Sequence, residues 1–255
     1  MEDVIRQAAQ WLAEARRVVA FTGAGVSAES GLDTFRDPEQ GLWSEYDPME
    51  LAHIDAFHRD PELVTRWYHW RFCRCVDCQP NPGHHALARI ERELAQRGAL
   101  FTLATQNIDG LHQRAGSRNV LELHGTILTW RGVTTGEMRP IDRVSFDRFP
   151  PRTEGGDLLR PNIVWFGEAL PEAVLRQAMI AAATCDLLLA IGTSAVVYPA
   201  AGLIDLAADG EARVVEINRE PTGATAQVDL AIHMPSGEAL PQLAEAAFGP
   251  AAGQG

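Results

Sequence analysis

Apolar positions recur along this chain with two alternating periods. Val4, Ile5, Ala8, Trp11, Leu12 and Ala15 keep the three-and-four spacing of one helix face, and the run Arg17-Val18-Val19-Ala20-Phe21-Thr22 that follows is closed by a glycine. The reading is helix, buried strand, turn. It repeats as helix Gly83 to Arg97 with strand Leu100 to Thr105, helix Pro171 to Ala183 with strand Leu187 to Ile191, and helix Pro199 to Ala208 with strand Arg213 to Ile217. A short strand ends at Val120 to Leu123, another is expected at Leu230 to His233, and a last helix from about Leu240. Strands that are apolar at nearly every position are buried on both faces, so the pattern predicts an α/β fold with a parallel sheet covered by helices on both sides.

Two stretches break the alternation. Residues 41–81 are rich in Trp, Tyr, His and Arg and carry helical pieces, clearest from Pro61 to Arg71, but no buried strand. Residues 126–159 are mixed, turn-rich and poorly periodic. Both read as insertions that fold together into a smaller lobe over the sheet edge. The expected division is a large domain from 1–40, 82–125 and 160–248, a small lobe from 41–81 and 126–159, and a disordered tail at 249–255.

Composition narrows the classes of function. A chain of 255 residues with 46% apolar and 22% charged content can bury one large core with a satellite. Its formal charge of -12 sets up a field that repels phosphates, which argues against nucleic acid or an anionic membrane as partner. There is no apolar run of about 18 residues, and the amino end reads as an amphipathic helix rather than a signal peptide, so a cytoplasmic protein is expected. Four cysteines, three of them at Cys73, Cys75 and Cys78, make no disulfide framework for a chain of this size.

Candidate chemistry sits at strand ends. His124 follows Val120-Leu121-Glu122-Leu123 and so stands at the carboxyl edge of the sheet, where an imidazole could act as general base or simply cap the strand. Gly23-x-Gly25-x-x-Ala28 follows a strand and opens onto a helix, the context in which glycines and free N–H groups cradle a pyrophosphate. The acidic residue that an ordinary dinucleotide fold places about twenty positions on is missing; the chain runs on as Ser30-Gly31-Leu32-Asp33-Thr34-Phe35-Arg36 instead.

At these residues the chain resembles the sirtuins, the NAD-dependent protein deacylases. The resemblance runs through Gly23-Ala24-Gly25-Val26-Ser27-Ala28-Glu29-Ser30-Gly31, Thr34-Phe35-Arg36, Thr105-Gln106-Asn107-Ile108-Asp109, Leu123-His124-Gly125, Arg160 to Glu168, Gly192-Thr193-Ser194 and Ile217-Asn218-Arg219. It implies a Rossmann-like large domain with a smaller lobe, and transfer of an acyl group from a protein lysine to ADP-ribose with release of nicotinamide. It gives His124 the role of general base, puts Asn107 and Asp109 at the nicotinamide, and assigns Phe35 and Arg36 to a loop that covers it. Gly23, Ala24, Gly25, Ser27, Gln106, Ile108, Gly192, Thr193, Ser194, Asn218, Arg219, Glu220 and, more weakly, Ser236 fall to the rest of the cofactor. Phe166, Gly167, Glu168, Val196 and Val197 fall to the two strands that clamp an acyl-lysine peptide. Protein ADP-ribosyl transfer, or an NAD-sensing module without turnover, are the alternatives; oligomeric state is not legible.

Two features set the chain apart. Tyr68 and Arg71, three apart on a helix, share a face, and a Tyr-x-x-Arg here marks the sirtuins of class III, which prefer succinyl and malonyl groups to acetyl. A guanidinium pairs a carboxylate bidentately and a phenol adds a hydrogen bond. Sirtuins also carry two Cys-x-x-Cys pairs, a structural zinc site, between the catalytic histidine and the Trp-Phe-Gly segment. Here 126–159 holds no cysteine, with 131–135 and 151–156 in place of the pairs. No structural zinc is expected, and Trp130, Met138, Ile141, Val144, Phe146 and Phe149 are expected to form a small core instead. Cys73, Cys75 and Cys78 are read as free thiols in preference to a relocated metal site.

Overall fold

A computed structural model describes residues 2–32 and 46–250. The chain opens with helix α1 (Glu2–Glu14), which buries Ile5, Ala8, Ala9 and Leu12, and passes into strand β1 (Arg17–Thr22). Strands β2 (Leu100–Thr105), β3 (Val120–Glu122), β7 (Leu187–Ile191), β8 (Arg213–Asn218) and β9 (Leu230–His233) join it, all parallel, in the order β3-β2-β1-β7-β8-β9. The period of two sorts β1 between two cores. Val18 and Ala20 pack with α1, with α6 (Pro82–Gln96) and with α10 (Ser236–Phe248), whereas Val19 and Phe21 pack with α8 (Glu172–Ala183) and α9 (Gly202–Asp209). This is the Rossmann-like sheet, helix-covered on both faces, that the apolar runs predict.

A third core lies at one end of this sheet. It is built from α3 (Pro48–Leu51), α4 (Ile54–Arg59) and α5 (Pro61–Asp77) with an antiparallel sheet in the order β5-β4-β6. Those strands are β4 (Gly125–Gly132), β5 (Met138–Pro140) and β6 (Leu159–Ile163). The turn-rich reading of 126–159 missed β4, whose burial follows no clean alternation because a register shift between Thr126 and Trp130 breaks it. Trp130 and Val144 are buried in this core, and Ile141 and Phe146 lie against it. Met138 does not belong to it: at 51% exposure it faces solvent on the edge strand β5. Phe149 is held by aromatic contacts to His69 and Phe146 and by the Arg66 guanidinium 4.5 Å above its ring. Among the described residues no helix is long and apolar enough to cross a membrane.

The topology decides where a ligand sits. The chain moves outward from β1 to β2 to β3 and returns on the other side through β7, β8 and β9, so the connections at the carboxyl ends of β1 and β7 diverge and leave a crevice. β4 starts directly after His124, and the Val164 N–H donates to the His124 carbonyl at 2.9 Å. The small sheet is therefore tied to the edge of the large one at the histidine itself.

Candidate active site

A cavity of about 830 Å³ occupies that crevice, within the range of small-molecule and cofactor sites. Its floor is the meeting of two glycine turns. Gly23 N–H donates to the Ile191 carbonyl (3.1 Å) and Gly25 N–H to the Gly192 carbonyl (2.8 Å). A Cβ on Gly25 would lie 2.8 Å from Gly192 Cα, and Gly192 itself has φ +56. A side chain is excluded at Gly23, Gly25 and Gly192, so at these positions backbone lines this end of the cavity. Ala24, Ser27, Thr193 and Ser194 line it beside the glycines.

Behind the floor stands a buried polar network. Ser27 Oγ donates to Asp109 Oδ2 (2.7 Å), and Asn107 Nδ2 donates to Ser27 Oγ (3.1 Å). Asp109 Oδ1 also accepts the Leu111 N–H at 2.8 Å. Burial pushes the Asp109 carboxyl upward, against the pull of the Leu111 and Ser27 hydrogen bonds. Among the described residues the Asn107 amide oxygen has no donor, which leaves it for a ligand. Gln106 spans the site, its side-chain amide on Thr193 Oγ1 (2.8 Å) and its carbonyl 3.0 Å from His124 Nδ1. Ile108 lines the cavity too, its carbonyl spent on the Ile127 N–H. A carbonyl can only accept, so His124 carries its hydrogen on Nδ1 and keeps a lone pair on Nε2. Burial pushes the imidazole pKa down, against the raising effect of the Gln106 carbonyl. His124 lines the cavity wall, and the lowered pKa favours its neutral form.

At the other end α5 supplies a mixed wall. Tyr68 is buried against Trp67 and Trp165, with ring centroids 4.6 and 5.8 Å away, and burial raises its phenol pKa so that it keeps its proton. Arg71 lines the same wall, its guanidinium 5.0 Å from the Trp67 ring centroid. Phe166, Gly167, Val196 and Val197 rim the opening. The Phe166 backbone is already spent: its N–H donates to Ala52 O (2.8 Å) and its carbonyl accepts Ile54 N–H (3.1 Å). Glu168 is likewise occupied, receiving Arg160 at 2.6 and 2.8 Å and the Trp165 N–H at 2.9 Å. Burial opposes its charge, yet those contacts hold its carboxyl below the usual carboxylate range. Glu168 lines the cavity beside Gly167, with its carboxylate held by those donors.

Asn218 and Glu220 also line the cavity, whereas Arg219 and Ser236 do not. Those two border a smaller pocket beside Gly25 and Gly192, and Ser236 Oγ donates to Glu29 Oε1 at 2.8 Å. Phe35 and Arg36 lie outside the described residues. The sequence did not single out Met49, Ala52, Trp70, Arg74 or the Pro221 to Gly223 wall, and read Cys75 only as one of three free thiols; all of these line the cavity. For the α5 residues the signal was present, since positions 68, 71 and 75 continue one helix face. Cys75 is buried with its thiol pushed up to about 12, chiefly by burial, while Cys73 is exposed.

The loops standing in place of the cysteine pairs meet through Asp157. Its carboxylate accepts the Thr135 N–H (3.0 Å), the Thr135 hydroxyl (2.8 Å) and the Thr134 N–H (3.2 Å). Thr153 Oγ1 accepts the Asp157 N–H from within the second loop at 3.0 Å. Hydroxyls, amides and a carboxylate already filled with donors do not fit a zinc ion, which takes thiolate or imidazole in such sites.

Residues 23–199 match the Sir2 family. The chain is 50% identical over 237 residues to NAD-dependent protein deacylase 2 of Pyrobaculum aerophilum, covering 93% of each chain. It is 46% identical over 254 residues to NAD-dependent protein deacylase 1 of Pseudomonas aeruginosa, covering 96% of this chain and 99% of that one. Among solved structures it is similar to a Sir2 homologue in complex with NAD, at 42% identity and a TM-score of 0.87 over 94% of this chain and 93% of the other. A Sir2 protein bound to an acetylated peptide superposes with a TM-score of 0.86 at 30% identity, over 96% and 99% of the two chains.

Proposed function

Because the chain belongs to the Sir2 family and is an NAD-dependent protein deacylase, we propose that it favours lysines carrying succinyl or malonyl groups, with acetyl also within reach. The observation that carries this reading is the placement of Tyr68 and Arg71 on one wall of the cavity that His124 also lines. A phenol held protonated by burial can only donate to a carboxylate, and the guanidinium brings opposite charge and two parallel N–H groups.

The residues present fit the cofactor. The glycine turns give a side-chain-free approach for a pyrophosphate, and Asn107 offers a free amide oxygen for a carboxamide. When bound, NAD supplies the ADP-ribosyl group that accepts the acyl group as nicotinamide leaves. With its ring fixed by the Nδ1–H bond to the Gln106 carbonyl, His124 would offer Nε2 as the acceptor for a ribose hydroxyl proton. Asn107 and Asp109 would hold the carboxamide, with Ser27 keeping both aligned. Asn218 and Glu220 meet the adenosine ribose. Gly167 and the Val196–Val197 segment receive the peptide backbone, since Phe166 has no backbone group left to offer. Structural zinc has no part in this reading, and the small lobe closes over the cavity as the bearer of acyl specificity.

Arg71→Met tests the acyl preference. Loss of a charge-assisted contact worth roughly 1.5–3 kcal/mol should lower kcat/KM on a succinyl-lysine peptide about tenfold to a hundredfold, mainly through KM, since a contact made equally in ground and transition states is uniform binding. Acetyl-lysine turnover should hold or improve. An equal loss on both peptides would assign Arg71 to support of the lobe. Mass spectrometry of the products, O-acyl-ADP-ribose against a modified protein, separates deacylation from ADP-ribosyl transfer.

A further inference from the structure

Glu216 is a carboxylate in the wrong place for an ordinary core. It lies at the fourth position of β8, between Ala190 of β7 and Ala231 of β9, with 2% exposure. Among the described residues it makes no ion pair, so its charge is balanced only by hydrogen-bond donors. Two hydroxyls meet it: Thr222 Oγ1 donates to one carboxylate oxygen, and Thr225 Oγ1 donates to the other at 2.5 Å. The direction of these bonds is fixed from outside. Thr225 Oγ1 accepts the Thr222 N–H (2.7 Å) and Thr222 Oγ1 accepts the Ala224 N–H (3.1 Å). Each hydroxyl has one hydrogen, and with an N–H already pointing at its oxygen that hydrogen is free for the carboxylate. Two backbone groups of the loop are thereby wired through two side chains to one buried anion.

The loop so anchored is the one that walls the cavity. After Asn218 the chain crosses the carboxyl end of the sheet before it returns as β9, and Glu220, Pro221, Thr222 and Gly223 line the cavity on the way. Thr222 belongs to both systems, touching the cavity and holding Glu216. Burying a carboxylate costs free energy unless its lone pairs are filled, and here the groups that fill them are the groups that set the wall. We propose that Glu216 is a positioning residue for dinucleotide binding, holding the Glu220–Gly223 wall in register for the adenosine end through Thr222 and Thr225. The inference rests on the reading that Asn218 and Glu220 meet the adenosine ribose.

Thr225 allows a clean test, because it bonds Glu216 but does not line the cavity. In the enzyme Thr225→Val, which keeps shape and removes the hydroxyl, should weaken NAD about tenfold, both in Kd by calorimetry and in KM, through loss of the charge-assisted bond to Glu216 together with the acceptor for the Thr222 N–H. The kcat at saturating NAD and the KM for the acyl peptide should stay within about twofold, and Thr225→Ser should restore NAD affinity. A support role in the core alone would lower the melting temperature of Thr225→Val and leave both NAD constants in place, which overturns the inference, as would equal losses in kcat and peptide KM. Asn218→Ala in the same titration reports on the underlying reading. If Asn218→Ala leaves NAD affinity unchanged, the ribose assignment fails and takes the inference with it; if only Thr225→Val does, the positioning role alone fails.

Discussion

Two histidines buried beneath the active site should make this enzyme acid-labile well above the range in which carboxylates titrate. His84 and His112 are 0% and 1% exposed, with ring centroids 4.8 Å apart. His84 Nδ1 accepts the Asn81 N–H at 3.3 Å, so its hydrogen sits on Nε2, 3.5 Å from Ser27 Oγ. A second proton would have to occupy Nδ1 and break the capping bond at the start of α6. His112 Nε2 lies 3.0 Å from Thr22 Oγ1, while its Nδ1 is buried without a partner. Burial, followed by the neighbouring histidines, pushes His84 down to about 4 and His112 down to about 3.

Both folded-state pKa values thus lie below the unfolded value of about 6.5. Between them the unfolded chain binds more protons, so the stability from keeping these rings neutral is complete above about pH 6.5 and is lost as pH falls towards 4. Each ring contributes a slope of about 1.4 kcal/mol per pH unit. At pH 5.5 the two together should remove about 3 kcal/mol relative to pH 8, a large share of a total of about 5–15 kcal/mol. Asp109 and Glu122, whose carboxyls are raised by burial, offset part of this loss. Urea unfolding at pH 8 and pH 5.5, with the slope m checked for constancy, measures the difference. His112→Gln, which keeps a polar contact for Thr22 but cannot take up the proton, should recover about 1.4 kcal/mol of it. If His112→Gln and His84→Gln both show the pH dependence of the parent, the histidines are not its source.

Two further outcomes are expected. His124→Ala should lower kcat by about 10² to 10⁴, the range for a general base, with NAD binding by calorimetry near that of the parent; near-full activity would move the base elsewhere. Asp157→Ala, which removes the bonds joining the two loops of the small sheet, should lower the melting temperature, while a strong chelator leaves the parent's unchanged. Thr135 and Thr134 hold the Asp157 carboxyl down at about 2, so its contribution is complete above the unfolded value of about 3.9 and is lost progressively as pH falls from there through about 2. Stoichiometric zinc in the purified protein, or melting that falls with chelator, would refute this account of the lobe.

What could be read from the chain follows from how each part is stabilised. The large sheet was legible strand by strand because its inner strands are buried on both faces, and unbroken runs such as Leu187 to Ile191 have no competing explanation between glycine-bearing turns. The last helix was placed too late, from about Leu240, because Pro235 to Gly237 looks like a turn. Pro235 in fact precedes Ser236 at the helix start, where Glu29 from across the crevice accepts the Ser236 hydroxyl and the Gly237 N–H. No local pattern announces a cap supplied from 207 residues away. The small sheet was illegible for a related reason. Its strands alternate poorly, Met138 is exposed, and its distal loops are joined by a carboxylate and threonines that by composition mark any surface turn. Residues at strand ends, among them His124, Asn107 and Gly192, stood out because the carboxyl edge of a parallel sheet is where polar residues interrupt apolar runs. Glu216 did not stand out, since a lone acidic residue inside Val214 to Ile217 reads as a blemish in a strand. Only the fold shows that Thr222 and Thr225 turn back to meet it, and so that the interruption belongs to the wall of the site.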